Sequence, residues 1–400
     1  MRKVFSLPVR IIRYWGVFRR LGREAQERHG VSASQMMKEH MALRKLNRLR
    51  WHEYLFYRLF NPELAWEEKT AYIGQIRMRP LWSALNPLEY RYIFKNKLIF
   101  KQICLKQGLA VAPLRAVFDP DWGFTAEGAA LRSVKDIEKW IVSLEDPNVV
   151  LKPSEGAEGR MVKAFRAKAD GAGEGLQEVN ETRWSARDLY DFMTDEEMLA
   201  QACSGGTEIH PTFLIEDRLR SHPELARLSP DTLCTFRIVT LLARGYEPQI
   251  VGSCFKLQTS SSGMDNMHQG SIGIDIRPDH TLGTGWTMPL AYYRREFDSL
   301  PPIQRCTRDP RSGVEFTGTK IPMWEETQDL VLRAAKAFPY VRCVGWDVAI
   351  TPEGPRIVEG NWAWGEELTQ GGTGRGIYRG DFKEVCEQLR REGKADKALV

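Results

Sequence analysis

Three features of this 400-residue sequence predict an α+β fold of two lobes with antiparallel sheets, preceded by a helical segment. Residues 1–95 carry helix-start signals and helical spacing of apolar positions. From Asn96 onward, short apolar runs alternate with amphipathic segments, without the regular period of a parallel βαβ array. Two pairs of apolar runs, within 146–165 and 344–361, are each joined by a Gly-containing turn, the pattern of a hairpin. The expected organisation is a helical basic region at 1–95, a first lobe at 96–213 and a second lobe at 214–390.

In the helical region, Ser32 with Gln35 marks a capping-box start to a Met- and Leu-rich stretch ending at Asn61-Pro62. Asn61-Pro62 and Asn86-Pro87 each read as an N-cap followed by proline at the first helical position, with Glu89 completing the second. Lys97 to Gln107 is expected to be a helix closed by Gly108, with Val111-Ala112-Pro113 opening an extended segment. Residues 131–144 read as a helix leading into a strand that ends at Lys152. Ala169 to Glu181 has the composition of a surface turn, and Ser185 with Asp188 starts a helix through Met198. Phe213 to Glu216 and Arg237 to Leu242 are β-rich, 324–337 is helical, and the hairpin at 344–361 follows.

Composition removes several classes. The seven cysteines are scattered without a CxxC pair, which argues against a disulfide framework or zinc site and for a reducing cytosol. No run approaches a membrane-spanning length, and Arg10, Arg13, Arg19 and Arg20 interrupt any signal-peptide core. A cytoplasmic protein is therefore expected. Its net charge of +5 is uneven, because residues 1–60 hold fourteen Lys and Arg against four Glu. Interleaved with Phe5, Ile11, Trp15 and Phe18, these bases suit a helix docked on the protein's own core or peripheral contact with an anionic membrane. No nucleic-acid-binding module is visible, so no nucleic-acid partner is expected.

The segment 341–361 carries most of the functional signal. A turn centred near Glu353-Gly354 pairs Asp347 with Glu359, and period-two alternation puts Asn361 on the face of Glu359. Opposed carboxylates repel, so a cation between them rationalises the pattern, and three hard oxygen donors suit Mg²⁺ on nucleotide phosphates. An exposed hairpin with two solvated acids is the alternative. In the earlier pair of runs, Lys152 precedes Pro153-Ser154-Glu155-Gly156-Ala157-Glu158-Gly159-Arg160. Such a loop lets backbone N–H groups approach phosphate, although it lacks the Lys-Ser/Thr ending of a GxxxxGK[ST] loop.

A lysine strand, Gly-rich loop, linker and late acid, acid-x-Asn hairpin, in that order, resembles the ATP-grasp superfamily from about Asn96 to Arg379. The likeness is to its sugar-transfer-associated branch, related to α-L-glutamate ligases, through 213–240, 264–276 and 344–365. The resemblance implies ATP and Mg²⁺ held between two α+β lobes. It places Lys152 on the phosphates, Glu155, Gly156, Ala157 and Gly159 in the loop closing over them, and Asp347, Glu359 and Asn361 on the metal. Lys97 resembles a further phosphate-binding lysine, or is one more surface lysine beside Lys95 and Lys101. Leu214, Ile215, Glu216 and Asp217 resemble the hinge that reads adenine, with Glu216 accepting from its amino group; Leu199-Ala200-Gln201 is the competing hinge. Arg237 is assigned to a transferring phosphate or a buried salt bridge, and Lys256 stands where relatives often carry arginine. Asp265, Asn266, Gly270 and Gly273 resemble a loop near the γ-phosphate or acceptor. Gly371 to Gly374 with Arg375 is either a carboxylate cradle or a flexible tail. The implied activity is an ATP-dependent carboxylate–amine ligase using an acyl phosphate, acting on a cell-surface polysaccharide or sugar-acid precursor that is small or lipid-linked. A phosphotransferase on the same scaffold, or a non-catalytic nucleotide-binding scaffold, is the alternative.

Overall fold

The computed structural model describes residues 22–23, 25–27, 29–156, 159–168, 175–202, 210–230, 232–243, 247–258, 272–287 and 305–394. Its N-terminal part is helical: α1 (Ala33–Asn47), α2 (Trp51–Phe56), α3 (Trp66–Thr70), α4 (Gln75–Leu85), α5 (Leu88–Lys95) and α6 (Lys97–Lys106). Ser32 caps α1 by accepting from Gln35 N–H. The stretch is not continuous to Asn61, because Arg48 turns into the left-handed region and separates α1 from α2. Neither Asn-Pro pair starts a helix as expected. Asn61 accepts from Glu63 N–H in a turn ahead of α3, and Pro87 rather than Asn86 occupies the N-cap of α5.

The first sheet contains β1 (Leu114–Phe118), β2 (Phe124–Thr125), β3 (Val149–Pro153), β4 (Lys163–Lys168), β5 (Gly175–Glu178), β6 (Arg183–Ser185) and β7 (Phe213–Asp217). Its order is β2-β1-β7-β3-β4-β5-β6, with every pairing antiparallel. Helices α7 (Val134–Ser143), α8 (Ala186–Thr194) and α9 (Glu196–Ala202) accompany it, and a core including Ile137, Trp140, Leu151, Phe165, Leu189 and Phe213 fills the layer between. Ser133 with Asp136 and Ser185 with Asp188 form reciprocal capping boxes on α7 and α8. Two expectations shift here. The helix beginning at Ser185 breaks at Asp195, and Gly175 to Glu178 is a strand because Leu176 and Glu178 are buried against neighbouring elements. Residues 169–174 lie outside the described residues.

The second sheet contains β8 (Thr235–Leu241), β9 (Gln249–Leu257), β10 (Ile272–Ile276), β11 (Leu282–Thr287), β12 (Arg305–Cys306), β13 (Cys343–Thr351) and β14 (Gly354–Asn361). Its order is β12-β11-β10-β9-β8-β13-β14, again antiparallel throughout. One face packs on α11 (Trp324–Ala337) through Phe236, Ile238, Trp346 and Val348. The opposite face is partly covered by α4, α12 (Glu366–Thr373) and α13 (Gly380–Arg391). Ile73, Met78, Leu81, Trp82 and Leu85 thereby share a core with Val239, Leu241, Trp364 and Phe382. The described part of the helical region is thus docked on the second lobe, and its basic residues 1–21 lie outside the described residues. Among the described residues no helix is long and apolar enough to cross a membrane.

The expected lobe boundary at 213/214 cuts through β7. That strand sits between β1 and β3, so the first sheet runs to Asp217 and the passage to the second sheet follows it. Short α10 (Pro223–Ala226) lies on that passage, capped by His222, whose Nδ1 accepts from Glu224 N–H at 3.3 Å.

Candidate active site

The hairpin β13–β14 has the expected register at its key position: Asp347 lies opposite Glu359. The route to that pairing differs. The tight turn is Pro352-Glu353, with Thr351 opposite Gly354, and a bulge at Val358 restores the Asp347–Glu359 alignment. Asn361 lies on the face of Glu359 and donates from Nδ2 to Glu359 Oε1 at 3.1 Å.

Arg237 on β8 is the other cross-strand partner of Asp347, and Lys256 on β9 lies one step diagonal to it. Arg237 donates from Nε to Asp347 Oδ1 at 2.6 Å and from Nη2 to Oδ2 at 3.0 Å, and Lys256 Nζ donates to Oδ2 at 3.0 Å. Arg237 Nη1 also donates to Trp364 O at 2.6 Å. Glycine is required at 345 on this face, since a Cβ there would stand 2.3 Å from Trp364 Cβ and 3.1 Å from Arg237 Cδ. Burial opposes ionisation of Asp347, but Arg237 and Lys256 outweigh it and hold the carboxyl well below its usual range. For Arg237, burial alone disfavours the charge, and Asp347 reverses the balance and raises its pKa. The charge that offsets Asp347 therefore comes from two side chains, and both its oxygens are already engaged. Glu359 and Asn361 are the half-buried hard-oxygen donors of the predicted metal set with capacity left, a donor pair that fits Mg²⁺ carried on phosphates.

Across the cleft, Lys152 is the penultimate residue of β3 and pairs through Nζ with Glu216 Oε2 at 2.7 Å. Glu216 also pairs with Lys101 at 2.8 Å. Burial pushes the Glu216 carboxyl up, and the two lysines more than reverse this, leaving its pKa lowered. Lys97 opens α6 behind its N-cap Asn96. Its backbone N–H donates to Ser154 O at 2.7 Å and its Nζ to Gly156 O at 2.9 Å, so one residue ties down the start of the Gly-rich loop. Gly156 holds φ at +125°, a conformation closed to other residues. Glu155 turns away from the cleft, accepting from Tyr92 and Asn96 side chains.

One cavity of about 840 Å³ unites these parts. Lys97, Lys152, Gly156, Gly159, Glu216 and Asp217 line it from the first lobe, and Arg237, Lys256, Asp347, Glu359 and Asn361 from the second. Three predicted assignments need correction. Leu214 to Asp217 are laddered to β1 and β3, so their backbone groups are spent, and it is the following segment Arg218 to Ser221 that lines the cavity. Ile215 belongs to the core of the first lobe, and Glu216 faces lysines rather than an open edge. The competing hinge, Leu199 to Gln201, is helical. Gly371 and Gly372 are neither cradle nor tail but buried turns of α12, and Arg375 pairs with Asp275 at 3.1 Å outside the cavity lining. Gly273 packs against Gly372, whereas Ala157, Asp265, Asn266 and Gly270 lie outside the described residues.

Three contributors escaped the sequence reading. Lys101 follows Lys97 by one helical turn, a spacing that puts both on one face, and that was the available signal. Asn86 donates to Cys343 O and Trp362 O, both at 2.7 Å, and accepts from Cys343 N–H, pinning both ends of the β13–β14 hairpin to the helical region. Glu367, directly after Gly365-Glu366, lines the cavity with no sequence signal beyond its acidity.

Two antiparallel sheets clasping one cavity, with a Gly-rich loop on one side and an acid–amide hairpin on the other, define an ATP-grasp fold. The sequence matches the sugar-transfer associated ATP-grasp family over residues 77–386, and the chain belongs to that family. Among solved structures it is similar to a biotin carboxylase–β-γ-ATP complex from Campylobacter jejuni, with 13% identity and a TM-score of 0.42, covering 79% of this chain and 49% of that one. It is also similar to D-alanyl-alanine synthetase A from Vibrio cholerae O1 biovar eltor str. N16961, with 9% identity, a TM-score of 0.38 and coverage of 78% and 68%. For an L-amino acid ligase from Bacillus licheniformis the values are 12%, 0.31, 70% and 44%. The chain spans about half the length of the first of these structures, 49% of it. No curated protein matches the sequence.

Proposed function

We propose that the chain is an ATP-dependent carboxylate–amine ligase that works through an acyl phosphate. The observation that carries this reading is the row Lys256, Arg237, Asp347, Glu359 across four adjacent strands, facing Lys152, Lys97 and Gly156 over a single cavity. Cations on both walls suit a polyphosphate, and the cavity-lining segment Arg218 to Ser221 would meet the base. Glu359 and Asn361 would hold Mg²⁺, which when bound offsets charge on the phosphates. Lys152, released from Glu216, and Arg237 would stabilise charge spreading over the transferred group while a substrate carboxylate attacks the γ-phosphorus. An amine then displaces phosphate, giving the amide. Family membership supports a sugar-acid or polysaccharide precursor as the setting, and the basic N-terminus supports a lipid-linked form of it at a membrane surface.

Calorimetry of MgATP with wild type, Glu359→Gln and Lys152→Ala tests the site. At 100 times the dissociation constant, binding should stabilise the fold by about 2.7 kcal/mol, and both variants should weaken it. Failure of well-folded wild type to bind MgATP would refute the reading. Hydroxylamine trapping with candidate sugar acids then separates a ligase, which yields a hydroxamate, from a phosphotransferase, which does not. Unchanged vesicle binding after removal of residues 1–30 would refute the membrane element.

A further inference from the structure

The outward side of α1 has no part in the site described above. Its buried positions Met36, His40, Leu43 and Asn47 recur at helical spacing and turn one side of the helix to the protein. Met36 and Leu43 share a core with Leu368, which lines the active-site cavity, so α1 belongs to the layer behind the cavity wall. The other side presents Met37, Lys38, Met41, Arg44 and Lys45, with Arg48 at the C-cap, all of them exposed. Met37, Met41 and Arg44, and likewise Lys38, Met41 and Lys45, fall three and four residues apart, so two neighbouring stripes meet at Met41. Met37 is 43% exposed and Met41 63%, and among the described residues none of the four bases forms an ion pair. The one acid of α1, Glu39, points to another side, where it accepts from Lys69 Nζ and Tyr54 Oη, both at 2.6 Å.

Four uncompensated cations around two exposed methionines select a partner that is anionic and in part apolar. Residues 1–21 of the chain do not complement them, since they carry Arg2, Lys3, Arg10, Arg13, Arg19 and Arg20 and no acid. A second copy would bring the same charge. A soluble polyanion such as nucleic acid would engage the bases and leave the methionines idle. Deepening the membrane setting proposed above, which drew on the basic N-terminus, we propose that the outer face of α1 docks on an anionic phospholipid bilayer. Met37 and Met41 enter the headgroup region, while Lys38, Arg44, Lys45 and Arg48 keep their charged ends at the lipid phosphates. Because α1 packs with Leu368, docking there fixes the orientation of the cavity to the surface, whatever the chemistry inside it.

The test is co-sedimentation of the full chain with phosphatidylcholine vesicles, with and without phosphatidylglycerol. Wild type should bind only the anionic vesicles, and more weakly as salt is raised. Lys38→Gln/Arg44→Gln/Lys45→Gln should weaken that binding at least about tenfold. Met37→Ser/Met41→Ser, which keeps every charge, should weaken it at least about fivefold. Both variants change exposed positions, so their Tm and MgATP binding should match wild type. Failure of wild type to bind anionic vesicles, or undiminished binding by the glutamine variant, would overturn the proposal. Loss of binding in the glutamine variant with full retention in the serine variant would overturn it in favour of a soluble polyanion, checked by heparin competition. Anionic-vesicle binding that follows this pattern in a chain unable to bind MgATP would sink the ligase reading and uphold the docking face.

Discussion

Replacing Glu216 by glutamine removes the one anion shared by Lys101 and Lys152, while keeping the shape of the side chain. Breaking a buried ion pair by deleting one partner costs about 3–5 kcal/mol, because the other charge is stranded. The two lysines differ in what they can recover. Lys152, with 13% of its side chain exposed, lines the cavity and can turn to water, whereas Lys101 is 5% exposed and keeps only the Ala112 carbonyl. The expected loss is therefore about one pair's worth, 3–5 kcal/mol, not two. It should also depend on pH with a defined sign. Burial already lowers the Lys101 pKa, and removing Glu216 lowers it further. The unfolded chain then binds more protons than the folded one between the two values, so stability of the variant rises with pH and its deficit narrows from pH 7 towards 10. Urea unfolding across that range, with calorimetric titration of MgATP and MgGTP, checks both parts. Retained stability with a loss of discrimination between adenine and guanine would refute the reasoning, since it would return Glu216 to the base-reading role the sequence suggested.

Asp347→Asn strands Arg237 and Lys256 together and should cost at least about 3–5 kcal/mol, seen as a lowered Tm; the double variant with Lys256→Met should recover part of it. Glu366→Gln should raise stability by about 1–3 kcal/mol at neutral pH. Because burial raises the Glu366 pKa above its ordinary 4.5, wild type loses stability as pH climbs through that window, so the advantage of the variant should vanish below pH 4.5 in thermal melts. Lys97→Met removes the Nζ bond to Gly156 O and should loosen the Gly-rich loop, read as faster proteolysis between Ser154 and Arg160 and weaker MgATP binding with little change in Tm.

What the sequence made legible was local. The start and stop of the 324–337 helix, the helix beginning at Lys97 and the Asp347–Glu359 pairing follow from spacing and turn chemistry within about twenty residues. The pairing survived an error in the turn because Val358 bulges, a device alternation alone cannot announce. What sequence misplaced depended on distant partners. Glu216 looks like a strand-end acid until Lys101, far away in the chain, is folded against it. Leu214 to Asp217 look like a hinge until β1 and β3 close on both sides of them. The Gly371-Gly372 pair looks like a loop until it is seen that small residues let α12 lie against β10 and Cys254.

The docking of the helical region on the second lobe has a consequence for how the chain is made. Ile73 N–H donates to Gln370 Oε1, Arg77 pairs with Glu387, and Asn86 holds Cys343 and Trp362. Each of these partners emerges from the ribosome more than 250 residues after the helix it completes. At about 5–20 residues per second, helices α1 to α4 wait tens of seconds with Met78, Leu81 and Trp82 unburied, while the first lobe between them can fold as a unit. Synthesis therefore exposes an apolar helical surface first and seals it last, so this chain should depend on chaperone protection for most of its translation.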